Sequence, residues 1–413
     1  MNTKQTIRAD LAVEIFSRVN QAGINYALMR NYRDVLSGTA KDADILVRAK
    51  DLQHFVARIE EVARSAPGWS IIQVISSRFG RRVVLLHRDE YSLLFDLRSV
   101  VQLQTGLAPA HFFLSGTRIS PAGIKLFGRE QFLICLYLHN LLKPKPEYDR
   151  ILSTAFRAEK ELAARVRGKV EGLNRRYRDR LLYRLMRKIT DIQYWRGYLK
   201  PPGFFTVVNG PDGVGKTTTL AELQDRLTRL GVRSRVRHLG GKTGMLPDRP
   251  SAIRKRQSVH RGSAGDSGSV SRFRVAADLL RLLYHFLDIQ LYYWLVNRKF
   301  QASGGWFIAD KYFTYTVKAD EMGFSVPESL VRFIYRRLPR PDLFILFWNE
   351  PEVISRRKNE LTPREAQEHA LILERISRYS RQRAMIKTDR SISQVAGEVW
   401  ELLAGLAGKR INE

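Results

Sequence analysis

The sequence predicts an α/β protein of two sheet-containing domains, the second a doubly wound parallel sheet built on a phosphate-binding loop. Three observations predict it. The chain has 413 residues, 44% of them hydrophobic, which is enough for two or three domains. Gly210-Pro211-Asp212-Gly213-Val214-Gly215-Lys216-Thr217 fits the spacing G-x-x-x-x-G-K-[ST]. Apolar runs at 204–208, 306–309 and 343–347 are separated by helix-patterned stretches, the alternation that yields a parallel sheet covered by helices.

The elements follow in order. An amphipathic helix spans 11–22, a strand 26–29 and a second strand 43–47. Leu52, Phe55, Ile59 and Val62 recur at helical spacing and share one face. Val83-Val84-Leu85-Leu86 and the run 92–97 flank Arg88-Asp89-Glu90, which predicts a hairpin. Residues 1–142 form the first domain. Residues 143–200 read as a helical connector with 17 basic against 7 acidic residues. Its densest part runs from Arg175 to Lys188, with Leu181, Leu182, Leu185 and Ile189 as an apolar stripe, a pattern suited to an anionic membrane surface, to nucleic acid, or to packing on a domain. Pro201-Pro202-Gly203 breaks the chain and opens the second domain, 201–413. Residues 249–271 are rich in Ser, Gly and Arg and read as a basic loop. Leu279 to Val296 is the most membrane-like stretch, but Arg281, His285 and Asp288 interrupt it, so it reads as a buried helix with Tyr284, Tyr292, Tyr293 and Trp294 in its core.

The phosphate-loop pattern has a physical basis. Glycines let backbone N–H groups close on a polyphosphate, and the start of the following helix adds partial positive charge. Gly210, Gly213 and Gly215 supply the loop, Lys216 the reach to the β- and γ-phosphates, and Thr217, followed by Thr218, a hydroxyl for Mg²⁺. Asp310 ends the second apolar run, where a carboxylate orients the same ion. ATP and Mg²⁺ are therefore the expected cofactors.

From 204 to 403 the order of motifs resembles the thymidylate kinase family of nucleoside monophosphate kinases. The phosphate loop continues through Thr218. Asp310-Lys311-Tyr312 stands where that family carries Asp-Arg-Tyr, and Pro341-Asp342, Pro351-Glu352-Val353 and Ile386-Lys387-Thr388-Asp389 also match. The stretch Arg356 through Arg364 looks like the family's lid. The resemblance implies that Lys216 and Asp310 act on the transferred phosphoryl, with Arg357 or Arg364 neutralising it. It implies that Asp212 and Lys311 bind the acceptor, and that the protein is a homodimer, as such kinases often are. Two departures stand out. Lys311 replaces an arginine, losing its bidentate fork. Phe286-Leu287-Asp288-Ile289 lies where the family carries an arginine on the acceptor phosphate.

In the first domain, Asp42-Ala43-Asp44 places two carboxylates on one face of a strand, and Asp96 lies on a later strand. This resembles the nucleotidyltransferase superfamily and implies that Asp42, Asp44 and Asp96 hold Mg²⁺ around a nucleotide. The Gly-Ser of that pattern is absent. Leu28-Met29-Arg30-Asn31-Tyr32 stands there instead, with Arg30 and Lys41 as the nearby positive charges.

The formal charge of +29 favours an anionic partner. The leading expectation is a kinase acting on a nucleotide or other phosphorylated small molecule. A sugar or lipid-linked glycan acceptor in surface-polysaccharide synthesis, at an anionic membrane surface, is the second. Nucleic-acid end processing ranks third, because Tyr177 and Tyr183 are the few aromatics within the basic run. One cysteine, Cys135, excludes an internal disulfide framework, and the first residues lack an apolar leader, so a cytoplasmic address is expected, peripheral to the inner face of the membrane.

Overall fold

The computed structural model describes residues 2–30, 32–77, 79–104, 106–177, 198–239, 245–246, 272–312, 328–357 and 362–412. The basic stretch 178–188, the loop 249–271 and the lid residues 358–361 lie outside the described residues. The protein is mixed α/β and divides into two compact units. One comprises Met1–Pro202 with Leu230–Val232 and Ala407–Glu413, the other Gly203–Arg229 with Arg233–Leu406.

The first unit holds a seven-stranded sheet in the order β3-β4-β5-β2-β1-β9-β8. Its strands are β1 (Tyr26–Leu28), β2 (Asp42–Val47), β3 (Trp69–Ser77), β4 (Gly80–His87), β5 (Tyr91–Arg98), β8 (Thr117–Ile119) and β9 (Lys125–Phe127), while β6 (Val100–Gln102) and β7 (Leu107–Pro109) pair separately. Helices Thr3–Gln21 and Leu52–Ser65 cover it, burying Ile15, Phe16, Phe55 and Ile59 against Tyr26 and Phe95. The expected hairpin is β4–β5, turned by Glu90 at φ +63°. Strand β2 runs parallel to β5, which sets Asp44 opposite Asp96. The sequence reading missed β3, whose inward residues are interrupted by a register shift between Ile71 and Gln73 that breaks the period-two pattern. Helices Pro146–Ala158 and Lys160–Arg176 join a second core through Leu152, Leu162, Val166 and Val170, packed with Phe127 and Leu133. Their charges face outward, as at Arg165, Arg167 and Lys169.

The second unit holds five parallel strands in the order β11-β12-β10-β13-β14. They are β10 (Phe205–Asn209), β11 (Ser234–His238), β12 (Trp306–Asp310), β13 (Leu343–Trp348) and β14 (Gln382–Lys387). Strands covered on both faces read as continuous apolar runs, which is why β10, β12 and β13 were visible in the sequence. Asp342 pins β10 to β13: its N–H donates to the Phe205 carbonyl at 2.8 Å and its Oδ2 accepts from the Phe205 N–H at 2.9 Å.

The buried-helix expectation for 279–296 holds for one face. Helix Arg272–Tyr292 and the π-helical turn Tyr293–Asn297 bury Leu282, Ile289 and Tyr293, while Leu280 is 67% exposed and Leu283, Leu287 and Trp294 also face solvent. Trp294 is therefore not core. A leucine-rich segment has apolar residues all round, so hydropathy alone does not reveal which face is covered. Among the described residues, no helix is long and apolar enough to cross a membrane.

Candidate functional site

Strand β10 delivers the chain into the loop 210–215, and the helix Lys216–Arg229 begins directly after it. Gly213 and Gly215 have φ of +88° and +98°, left-handed values that glycine adopts without strain. Gly210 is fixed by crowding: a Cβ there would lie 2.6 Å from the Phe347 carbonyl oxygen. The helix Lys216–Arg229 starts directly after this glycine loop, an order of elements suited to receiving an anion. Thr217 and Thr218 stand exposed on the first helical turn.

Lys216 is buried, and its Nζ donates to the carbonyls of Gly210 and Pro211 at 2.7 Å each. Desolvation pushes its pKa down to about 8, with Asp212 opposing and Lys311 adding to the shift. Asp212 Oδ1 lies 3.6 Å from Lys216 Nζ and 2.6 Å from Lys311 Nζ. Lys311 itself has φ +54°, a conformation that an ordinary side chain rarely adopts and that commonly marks a functional position.

Asp310 ends β12 beside the loop, opposite Val208 on one side and His238 on the other. Its Oδ2 lies 3.1 Å from His238 Nδ1, while Oδ1 is buried and, among the described residues, has no hydrogen-bond partner. An orphaned carboxylate oxygen in a phosphate-loop setting is suited to a divalent cation, and the exposed Thr217 hydroxyl is a second oxygen donor on the same loop. The residues present fit Mg²⁺ and a polyphosphate. His238 escaped the sequence reading. It belongs to the site because β11 pairs with β12, and strand order cannot be read from a single residue.

The structure brings together Gly210, Asp212, Gly213, Gly215, Lys216, Asp310 and Lys311. Arg357 is exposed at the end of helix Pro351–Arg357, and Arg364 is exposed on helix Pro363–Ser377, where its Nε pairs with Glu368 at 3.2 Å. Asp288, within the stretch 286–289 that holds no arginine, is buried, and its Oδ1 accepts the N–H groups of Met245 and Leu246 at 3.0 and 2.9 Å. It holds backbone in place. Lys387 pairs with Glu350 and Asp389 at 3.2 Å each and lies over the Trp348 ring.

In the first unit, Asp44 and Asp96 are neighbours and Asp42 is exposed at the start of β2. Arg30 pairs with Asp44 through Nε and donates from Nη1 to the Tyr148 hydroxyl at 3.2 Å. Arg82 and Arg98 both reach Asp96 Oδ2, at 3.2 and 2.9 Å. Burial pushes the Asp96 carboxyl up, but Arg98 and Arg82 outweigh it and hold the pKa below the ordinary value. Among the described residues, no group of three or more His, Cys, Asp or Glu is arranged to hold a metal ion. Asp44 and Asp96, expected as Mg²⁺ ligands, are paired with guanidinium groups, so the residues present do not fit a metal pair.

No protein-family model matches this chain, and none of the curated proteins matches it.

Proposed function

We propose that the protein is an ATP–Mg²⁺-dependent phosphotransferase of the thymidylate kinase-like class, joined to a nucleotidyltransferase-like domain. One observation carries the reading: a strand-loop-helix with left-handed Gly213 and Gly215 and a buried Lys216 lies beside an Asp310 oxygen that, among the described residues, has no hydrogen-bond partner. The order β11-β12-β10-β13-β14, with the loop rising from the central strand, supports a doubly wound phosphate-loop fold.

Mg²⁺–ATP, when bound, supplies the phosphoryl group and neutralises part of its charge. The loop N–H groups receive the phosphates, and Lys216 turns from its own carbonyls towards them. Thr217 and Asp310 would hold the cation, with His238 beside the Asp310 carboxylate. Asp212 and Lys311 face the acceptor. Arg357 and Arg364 are the cations offered to the developing charge.

Asp288 favours a second reading of the acceptor. A monophosphate acceptor needs cations on its phosphate; the stretch 286–289 offers no arginine and its Asp288 binds backbone, which leaves Lys311, itself paired with Asp212. That favours an uncharged hydroxyl acceptor, such as a sugar or a lipid-linked glycan, with the protein at an anionic membrane surface. The test is transfer from γ-labelled ATP to separate pools of nucleoside monophosphates, sugar and glycolipid extracts, and 5′-hydroxyl oligonucleotides, each beside a Lys216→Ala control. Lys216-dependent labelling of a monophosphate supports the nucleotide kinase. Labelling of a glycan alone supports the second reading. Labelling of none refutes both.

A further inference from the structure

We propose that the first unit carries a metal-independent binding site for a phosphoryl group, formed by Arg30, Arg82 and Arg98 and held in place by Asp44 and Asp96. The proposal follows from the misfit of those carboxylates to a metal pair. Parallel pairing of β2 with β5 sets Asp44 beside Asp96, and antiparallel pairing of β4 with β5 sets Arg82 opposite Asp96. Arg98, two residues further along β5, reaches the same oxygen as Arg82. Two guanidinium groups on one carboxylate oxygen bring more positive charge than that carboxylate cancels.

The three arginine side chains are 43–55% exposed, so the cluster opens to solvent. Each arginine is nevertheless anchored: Arg82 and Arg98 by one nitrogen on Asp96, Arg30 by Asp44 and the Tyr148 hydroxyl. Lys145 lies 5.1 Å from the centre of the same Tyr148 ring. Arg30, Arg82 and Arg98 balance Asp42, Asp44 and Asp96 in formal charge, so a divalent cation would have to displace guanidinium groups from Asp44 and Asp96. A tetrahedral oxyanion would meet half-exposed guanidinium groups already positioned by their carboxylates, and the planar arginine fork suits phosphate. Asp44 and Asp96 are thus positioning residues for the arginines.

The test uses the full chain carrying Lys216→Ala, which silences the phosphate loop, in EDTA, titrated calorimetrically with inorganic pyrophosphate. Binding at one site is expected, weakened about tenfold by Arg98→Gln, which removes one charge-assisted donor. Arms with ADP and with glycerol 3-phosphate tell a nucleotide phosphate from a non-nucleotide one, and binding of either supports the site. If the Arg98 variant fails to fold, phenylglyoxal labelling of the Lys216→Ala chain reads the site directly. Pyrophosphate should then protect Arg30, Arg82 and Arg98 in peptide maps. Absence of protection, or pyrophosphate binding that requires Mg²⁺ or Mn²⁺, overturns the proposal. So does Mn²⁺ binding, followed by electron paramagnetic resonance, that disappears on Asp96→Asn.

Discussion

Replacing Lys216 with methionine keeps the stem of the side chain and removes its ammonium group. In the ligand-free protein that ammonium is desolvated, and its pKa falls from 10.5 to about 8. At ~1.36 kcal/mol per pKa unit, the charged form is disfavoured in the folded state by about 3 kcal/mol. The sign follows from proton binding. Below pH 8 both the folded and unfolded lysines are protonated, and the penalty is fully present. Between pH 8 and 10.5 the unfolded lysine keeps its proton while the folded one releases it, so stability rises with pH. The parent chain should therefore gain about 3 kcal/mol relative to Lys216→Met between pH 7 and 10.5. Urea unfolding of both proteins across that range, in EDTA, measures the difference and cancels the other titrating groups. A difference that stays flat with pH would refute the desolvated lysine. The same reasoning predicts that a polyphosphate ligand restores the lysine's proton, so ATP binding above pH 8 should take up to one proton from buffer.

Three further outcomes are expected. Asp310→Asn should lower phosphoryl transfer roughly a hundred- to a thousandfold, measured with labelled ATP, with ATP affinity in EDTA unchanged. Asp342→Ala leaves the Phe205 N–H without its acceptor and should cost about 1–3 kcal/mol in thermal unfolding, since Asp342 is 6% exposed. Gly210→Ala drives a methyl group against the Phe347 carbonyl and should cost about 1–3 kcal/mol while weakening ATP binding, read by calorimetry.

Much of the second unit's fold was legible because its signals are local. The phosphate loop is eight consecutive residues, and the strands β10, β12 and β13 are unbroken apolar runs. What escaped depends on pairing between distant segments. His238 meets Asp310 across two strands, 72 residues apart in the chain. Arg82 and Arg98 meet Asp96 because of hairpin register and strand direction, which composition does not encode. Asp42, Asp44 and Asp96 matched a metal pattern by spacing, yet spacing is blind to the arginines that neighbouring strands bring in. Pro341-Asp342 carried part of the resemblance without a role of its own, and its carboxylate accepts the Phe205 N–H, a mechanical role that spacing does not reveal.

That role makes β13 a ruler. Near its first residue Asp342 grips the start of β10, and near its last the Phe347 carbonyl crowds Gly210 at the end of β10. The phosphate loop is therefore set at a height fixed by the number of residues between those two contacts. Exchanges among apolar side chains along β13 leave that height alone. Adding or deleting one residue shifts the Phe347 carbonyl by about 3.3 Å and turns every inward side chain outward. Strand length in β13 sets the end of β10 against Phe347, while the pairing of β10 with β12 sets it beside Asp310.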